Sequence, residues 1–175
     1  MYSLTNSILA LGLVGLSEVV PALSMALYAG HYIDNHEKRR LLLTCIILYG
    51  ICLLALLFLS GNYVGGQMSA WAIAGCVFTV IAVTGAIRSF SGPTFSAMIS
   101  QIVPKEMLSS AAAISSATWL IGSILGHALG GFLIAWIGIH HTFYVIIAFV
   151  GTGFIILQNL SLKPVFVTVS KRTWQ

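Results

Sequence analysis

The feature that most constrains this chain is a series of uncharged apolar stretches, each long enough to cross a lipid bilayer. They run over about residues 8–30, 41–59, 71–101, 107–137 and 142–160, and the only charges inside them are Glu18 and Arg88. A crossing takes about 20 such residues, roughly 30 Å of helix. Hydrocarbon offers a backbone no hydrogen-bond partners, so a spanning segment is either a helix or a strand of a closed barrel. Barrel strands are about 9–11 residues long and alternate apolar with polar side chains. These stretches are longer and do not alternate. The sequence therefore predicts an all-α polytopic membrane protein with five transmembrane helices.

Composition agrees where it bears on the surface. Apolar residues make up 58% and charged residues 7% of the chain, against about 45–50% and about 25% in an ordinary globular domain. So little charge cannot coat a water-facing domain, and 175 residues leave no room for one beside the spans. The 8 Lys and Arg against 4 Asp and Glu form no basic stripe, so nucleic acid is not an expected partner. Membrane lipid is. Cys45, Cys52 and Cys76 lie inside apolar runs without C-x-x-C spacing and read as small packing residues. The N-terminus shows neither the basic region nor the cleavage site of a removable signal peptide.

The charges between the spans set a direction. Lys38, Arg39 and Arg40 follow the first span, Lys105 follows the third, and Lys163, Lys171 and Arg172 follow the fifth, whereas the second and fourth connections carry no charged side chain. Basic residues collect on the cytoplasmic side. The expected topology has the N-terminus outside, a bundle over residues 1–162 and a cytoplasmic tail over 163–175. Tyr63, Trp71 and Trp136 fall near the predicted outer ends, where aromatic anchors belong.

The first connection reads Gly30-His31-Tyr32-Ile33-Asp34-Asn35-His36-Glu37-Lys38-Arg39-Arg40. It resembles the loop signature G-x-x-x-D-x-x-G-[RK]-x-[RK] of the major facilitator superfamily, with Gly30, Asp34, Lys38 and Arg40 matching and Glu37 in place of the second glycine. Arg88 to Gly92 resembles the R-x-x-x-G pattern of that family's proton-coupled members. Gly122 to Gly131 resembles its antiporter motif G-x-x-x-G-P-x-x-G-G, with His127 at the proline. The flanks, among them Pro21-Ala22-Leu23 and Val103-Pro104-Lys105-Glu106, are similar to bacterial drug and siderophore exporters. The resemblance covers about residues 8–160 and aligns with helices two to six of the usual twelve. It implies most of one six-helix half of a major facilitator fold, with the first helix and the second half absent. It also implies a cytoplasmic gate built from Gly30, Asp34, Lys38, Arg39 and Arg40, in which the glycine permits close helix approach and the aspartate caps a neighbouring helix.

Glu18 and Arg88 stand out on physical grounds. A charge at the bilayer centre costs at least about 2.5–3.5 kcal/mol on insertion scales, so each should face protein or a cavity. If the third span continues past Gly92-Pro93, Arg88 lies at membrane depth and Glu18 is its available acidic partner. A plausible kink sits at that proline. Such a pair suits proton or substrate handling, although a protonated, hydrogen-bonded Glu18 would be purely structural. Gly122, Gly126 and Gly130, with Gly131 beside them, form a small-residue stripe suited to close helix packing or to hinging. His140 and His141 read as interface residues rather than metal ligands. No G-x-S-x-G, H-E-x-x-H or P-loop occurs, so neither an enzyme nor a cofactor is expected. The expected function is secondary, proton-coupled efflux of a small molecule across the inner membrane. The alternative is a non-transporting fragment, or a half-transporter that works only with a partner chain.

Overall fold

The computed structural model describes residues 8–61 and 69–159; Tyr63 and the tail 163–175 lie outside them. Among the described residues all regular structure is helical: α1 (Ile8–Asp34), α2 (Lys38–Leu59), α3 (Ala70–Ile102), a short 3-10 turn (Lys105–Met107) and α4 (Leu108–Asn159). This is the all-α architecture of a membrane-spanning bundle, with four helices long and apolar enough to cross.

The five stretches read from the sequence become four helices because the last two are continuous in α4. Its 52 residues would measure about 78 Å as one rod, more than twice a bilayer core. The helix is interrupted at one residue, Gly138, where φ is 79° and ψ is 165°. That conformation is open essentially to glycine alone. The turn expected over Gly138–His141 is thus a single residue, and His140 and His141 already belong to the second arm.

Side-chain contacts fix where the arms run. Ser60, just past the end of α2, lies 3.3 Å from His140 Nδ1, and Arg39, near the start of α2, donates to the Gln158 carbonyl. The arm 139–159 therefore runs antiparallel to α2 and is held at both ends. The arm 108–137 brings Trp119 level with Arg88 and Gly92, with which it shares a cavity, so it returns alongside α3. With the two arms of α4 counted separately, the described residues form five helical segments in alternating directions. At the core, α3 packs on α1 and α2; Cys45, Cys52 and Ile87 are buried there, with Tyr49, Val80 and Phe90 against them.

The connection expected over residues 31–40 is shorter than its composition suggests. α1 continues through Gly30 and His31 to Asp34 and α2 starts at Lys38, which leaves residues 35–37 between them. The last carbonyls of a helix need partners, and this segment supplies them from its own side chains. Asn35 Nδ2 donates to the His31 carbonyl at 2.9 Å, His36 Nδ1 to that of Tyr32 at 2.8 Å, and Lys38 Nζ to that of Asp34 at 3.2 Å. The Tyr32 and His36 rings stack at 3.9 Å. α3 runs unbroken through Gly92 and Pro93, which keeps Arg88 inside the span.

Candidate functional site

Two helices bring the intramembrane charges together. Arg88 Nη1 donates to Glu18 Oε1 at 2.7 Å, linking α3 to α1. Glu18 lies about 24 Å from the Asp34 end of α1 and Arg88 about 21 Å from the Ile102 end of α3, at 1.5 Å per residue. Both are therefore deep in their spans. The pair lies in the wall of a cavity of about 440 Å³, together with Tyr49, Thr84, Ser91, Gly92 and Trp119. Three further cavities of about 390 Å³ have no charged side chain in their walls.

The chemistry of this cavity follows from what its groups still have free. Glu18 occupies one of the five N–H donors of Arg88, and the Arg88 side chain keeps 59% of its surface open. A guanidinium in this position can receive a second acceptor without leaving the first. Ser91 Oγ donates to the Arg88 carbonyl at 3.4 Å and Thr84 Oγ1 to the Ile81 carbonyl at 2.7 Å, so both hydroxyls are already satisfied by their own helix. Trp119, 64% exposed, adds an aromatic side chain to the cavity wall. The site combines one positive fork, one carboxylate, the Thr84 and Ser91 hydroxyls and the Tyr49 and Trp119 rings.

One backbone contact holds these helices unusually close. A Cβ built on Gly85 would lie 2.1 Å from the Glu18 carbonyl oxygen and 2.9 Å from its carbonyl carbon. Gly85, Tyr49, Thr84, Ser91 and Trp119 carry no sequence signal that separates them from packing residues.

The other residues singled out from the sequence are elsewhere. At the junction of α1 and α2, Arg40 Nε pairs with Glu37 at 2.8 Å, one helical turn away. Arg39 bonds the end of α4. No ion pair involves Asp34 among the described residues; it ends α1, and the residue at the N-cap of α2 is Glu37, which makes no side-chain capping bond. Asp34 is therefore not the N-cap residue of α2. A Cβ on Gly30 would meet open space, so close helix approach does not depend on that glycine in this structure. The same holds at Gly122, Gly126, Gly130 and Gly131, where nothing lies within 4 Å. His127 Nδ1 donates to the Ser123 carbonyl at 2.6 Å. Among the described residues no group of three His, Cys, Asp or Glu is arranged to hold a metal.

The family model for the Major Facilitator Superfamily matches residues 1–172. The chain belongs to that superfamily. Its members are membrane transporters that act on small molecules, which is the general function this bundle carries. Comparison with curated proteins and with solved structures gives no match.

Proposed function

We propose that this major facilitator chain carries out secondary, proton-coupled efflux of a small molecule from the cytoplasm by alternating access, with Glu18 and Arg88 as its coupling and substrate centre. The observation that supports this reading most directly is the 2.7 Å ion pair in the wall of a mid-span cavity. Intramembrane ionisable groups are costly, and in transporters they mark ion and substrate pathways. In this reading the chain lies in the inner membrane with its N-terminus outside and its C-terminus in the cytoplasm. Gly30, Asp34, Lys38, Arg39 and Arg40 gate the inner side, while Gly122, Gly126, Gly130 and Gly131 form a packing seam that yields during the cycle.

A second reading has its own support. The glycine seam is open, and Ile114, Leu125, Phe132 and Trp136 on the same arm are exposed. In this reading the chain is a half-transporter that completes its cavity against a partner chain. Substrate sites in such carriers lie between two halves.

The test uses inside-out membrane vesicles containing the full chain, energised to form a proton gradient reported by a pH-sensitive dye. Compounds from a panel of cationic, anionic and neutral drugs are added in turn. A substrate of a proton-coupled exporter dissipates the gradient, and Glu18→Gln abolishes the response. Substrate-dependent accumulation that persists after the gradient is collapsed would refute proton coupling. No response to any compound from the chain alone, restored by co-expression of a second half-transporter, would favour the partner-dependent reading.

A further inference from the structure

We infer that Gly85 is the positioning residue for the Glu18–Arg88 pair: its missing side chain lets α3 and α1 touch backbone to backbone at Glu18, and that contact sets the reach of the ion pair. This inference deepens the proposed role of the pair and rests on it only for its consequence in transport. The geometry is independent of that role.

Three distances carry the argument. A Cβ at Gly85 would stand 2.1 Å from the oxygen, 2.9 Å from the carbonyl carbon and 3.1 Å from the Cα of Glu18. All three are backbone atoms, so no rotamer change relieves the overlap. Among the described glycines no other shows such a clash: Gly61 meets one atom at 3.2 Å, and the rest meet nothing within 4 Å. Among the described residues, the one glycine whose Cβ position is taken up by a neighbouring helix therefore lies opposite the one acid inside the spans.

Helix geometry connects this contact to Arg88. Residues three apart share a face, so Gly85 and Arg88 approach α1 together. The contact fixes the backbone of Glu18, and Arg88, one turn further on, extends to its carboxylate. Pro21 makes the fixing necessary. It lacks an N–H, so the Ser17 carbonyl loses its usual donor and α1 is weakened at the turn that holds Glu18. Ser17 Oγ bonds the Val14 carbonyl at 2.8 Å and does not replace that donor. A weakened turn placed against a bare glycine is held by the neighbouring helix rather than by its own ladder.

The experiment measures the pair and the contact directly by solid-state NMR on the full chain in lipid bilayers, with arginine guanidinium and glutamate carboxyl groups isotopically labelled. A Glu37→Gln background removes the Arg40 pair. The Arg88–Glu18 dipolar coupling should be strong with Gly85 in place, lost in Gly85→Ala and retained in Gly75→Ala, a change on the same helix into open space. Helix content by circular dichroism should remain similar in both variants. A coupling that survives Gly85→Ala would overturn the inference. Should Gly85→Ala fail to fold, the unsubstituted chain still decides: a cross-peak between Gly85 Cα and the Glu18 carbonyl carbon is expected, and its absence would overturn the contact. If Gly85→Ala loses the pair yet leaves proton-coupled transport unchanged, Gly85 keeps its positioning role and the coupling role of the pair fails instead.

Discussion

Replacing Gly138 by alanine tests how α4 is divided. The residue has φ 79° and ψ 165°, in a region where a non-glycine residue costs about 1–3 kcal/mol. Alanine also restricts the unfolded chain, which offsets about 0.4–1 kcal/mol of that strain. The net expected loss is about 1–2 kcal/mol, equivalent to roughly a tenfold change in the folded ratio. Straightening α4 through alanine would relieve the strain, and alanine is favoured over glycine in a helix by about 1 kcal/mol. Straightening, however, would pull His140 from Ser60 and Gln158 from Arg39, and would expose Thr142, now 3% accessible. Those losses keep the break in place, so the variant should bend as before and simply be less stable. Unfolding in mixed detergent micelles with increasing dodecyl sulfate, followed by circular dichroism, gives the stability difference. Labelling of single cysteines placed at Lys105 and Asn159 reports whether both remain on the same side of the membrane. Unchanged stability in Gly138→Ala would refute the argument from backbone strain. Labelling of the two cysteines from opposite sides would refute the two-arm path.

Smaller effects follow at the clamps and at the seam. Arg39→Ala removes a charged donor from the carbonyl end of α4, where cations are favoured, and should cost about 1 kcal/mol in the same titration. Ser60→Ala removes a 3.3 Å contact with His140; a neutral hydrogen bond contributes about 0.5–1.5 kcal/mol, and this long one should lie at the low end. Gly126→Ala adds a methyl into open space and should stabilise the isolated chain by up to about 1 kcal/mol through helix propensity. Destabilisation there would show that the seam is already packed against something.

The pairing of Glu18 with Arg88 was legible because charges are scarce: with a single acid and a single base inside the spans, the cost of leaving either alone in lipid points each to the other. The spans were legible for the same reason, since runs without charge admit few alternatives. Gly85 was not. It is one of 17 glycines, and nothing local separates it from Gly75 or Gly92; what distinguishes it is a neighbour 67 positions away in the chain, and single-sequence patterns do not record such distances. Gly122, Gly126 and Gly130 drew notice by their spacing, yet the spacing describes a smooth face and not its partner. The end of α1 at Asp34 was hidden because polar residues ordinarily indicate a loop, whereas Asn35, His36 and Lys38 use their side chains to finish the helix. Tyr49 and Trp119 read as ordinary apolar residues until the fold placed them beside charge.

The loosely packed arm 108–137 makes the cavity mechanically uneven. Three of its walls belong to helices packed on one another, but Trp119 is carried on an arm whose glycine face touches nothing. From Gly138 to Trp119 the arm is a lever of about 28 Å at 1.5 Å per residue. A rotation of only about 10° at the glycine would sweep the indole through about 5 Å on that radius, close to the width of an aromatic ring. A small change of angle at one residue that carries no functional group would thus displace the cavity's Trp119 wall.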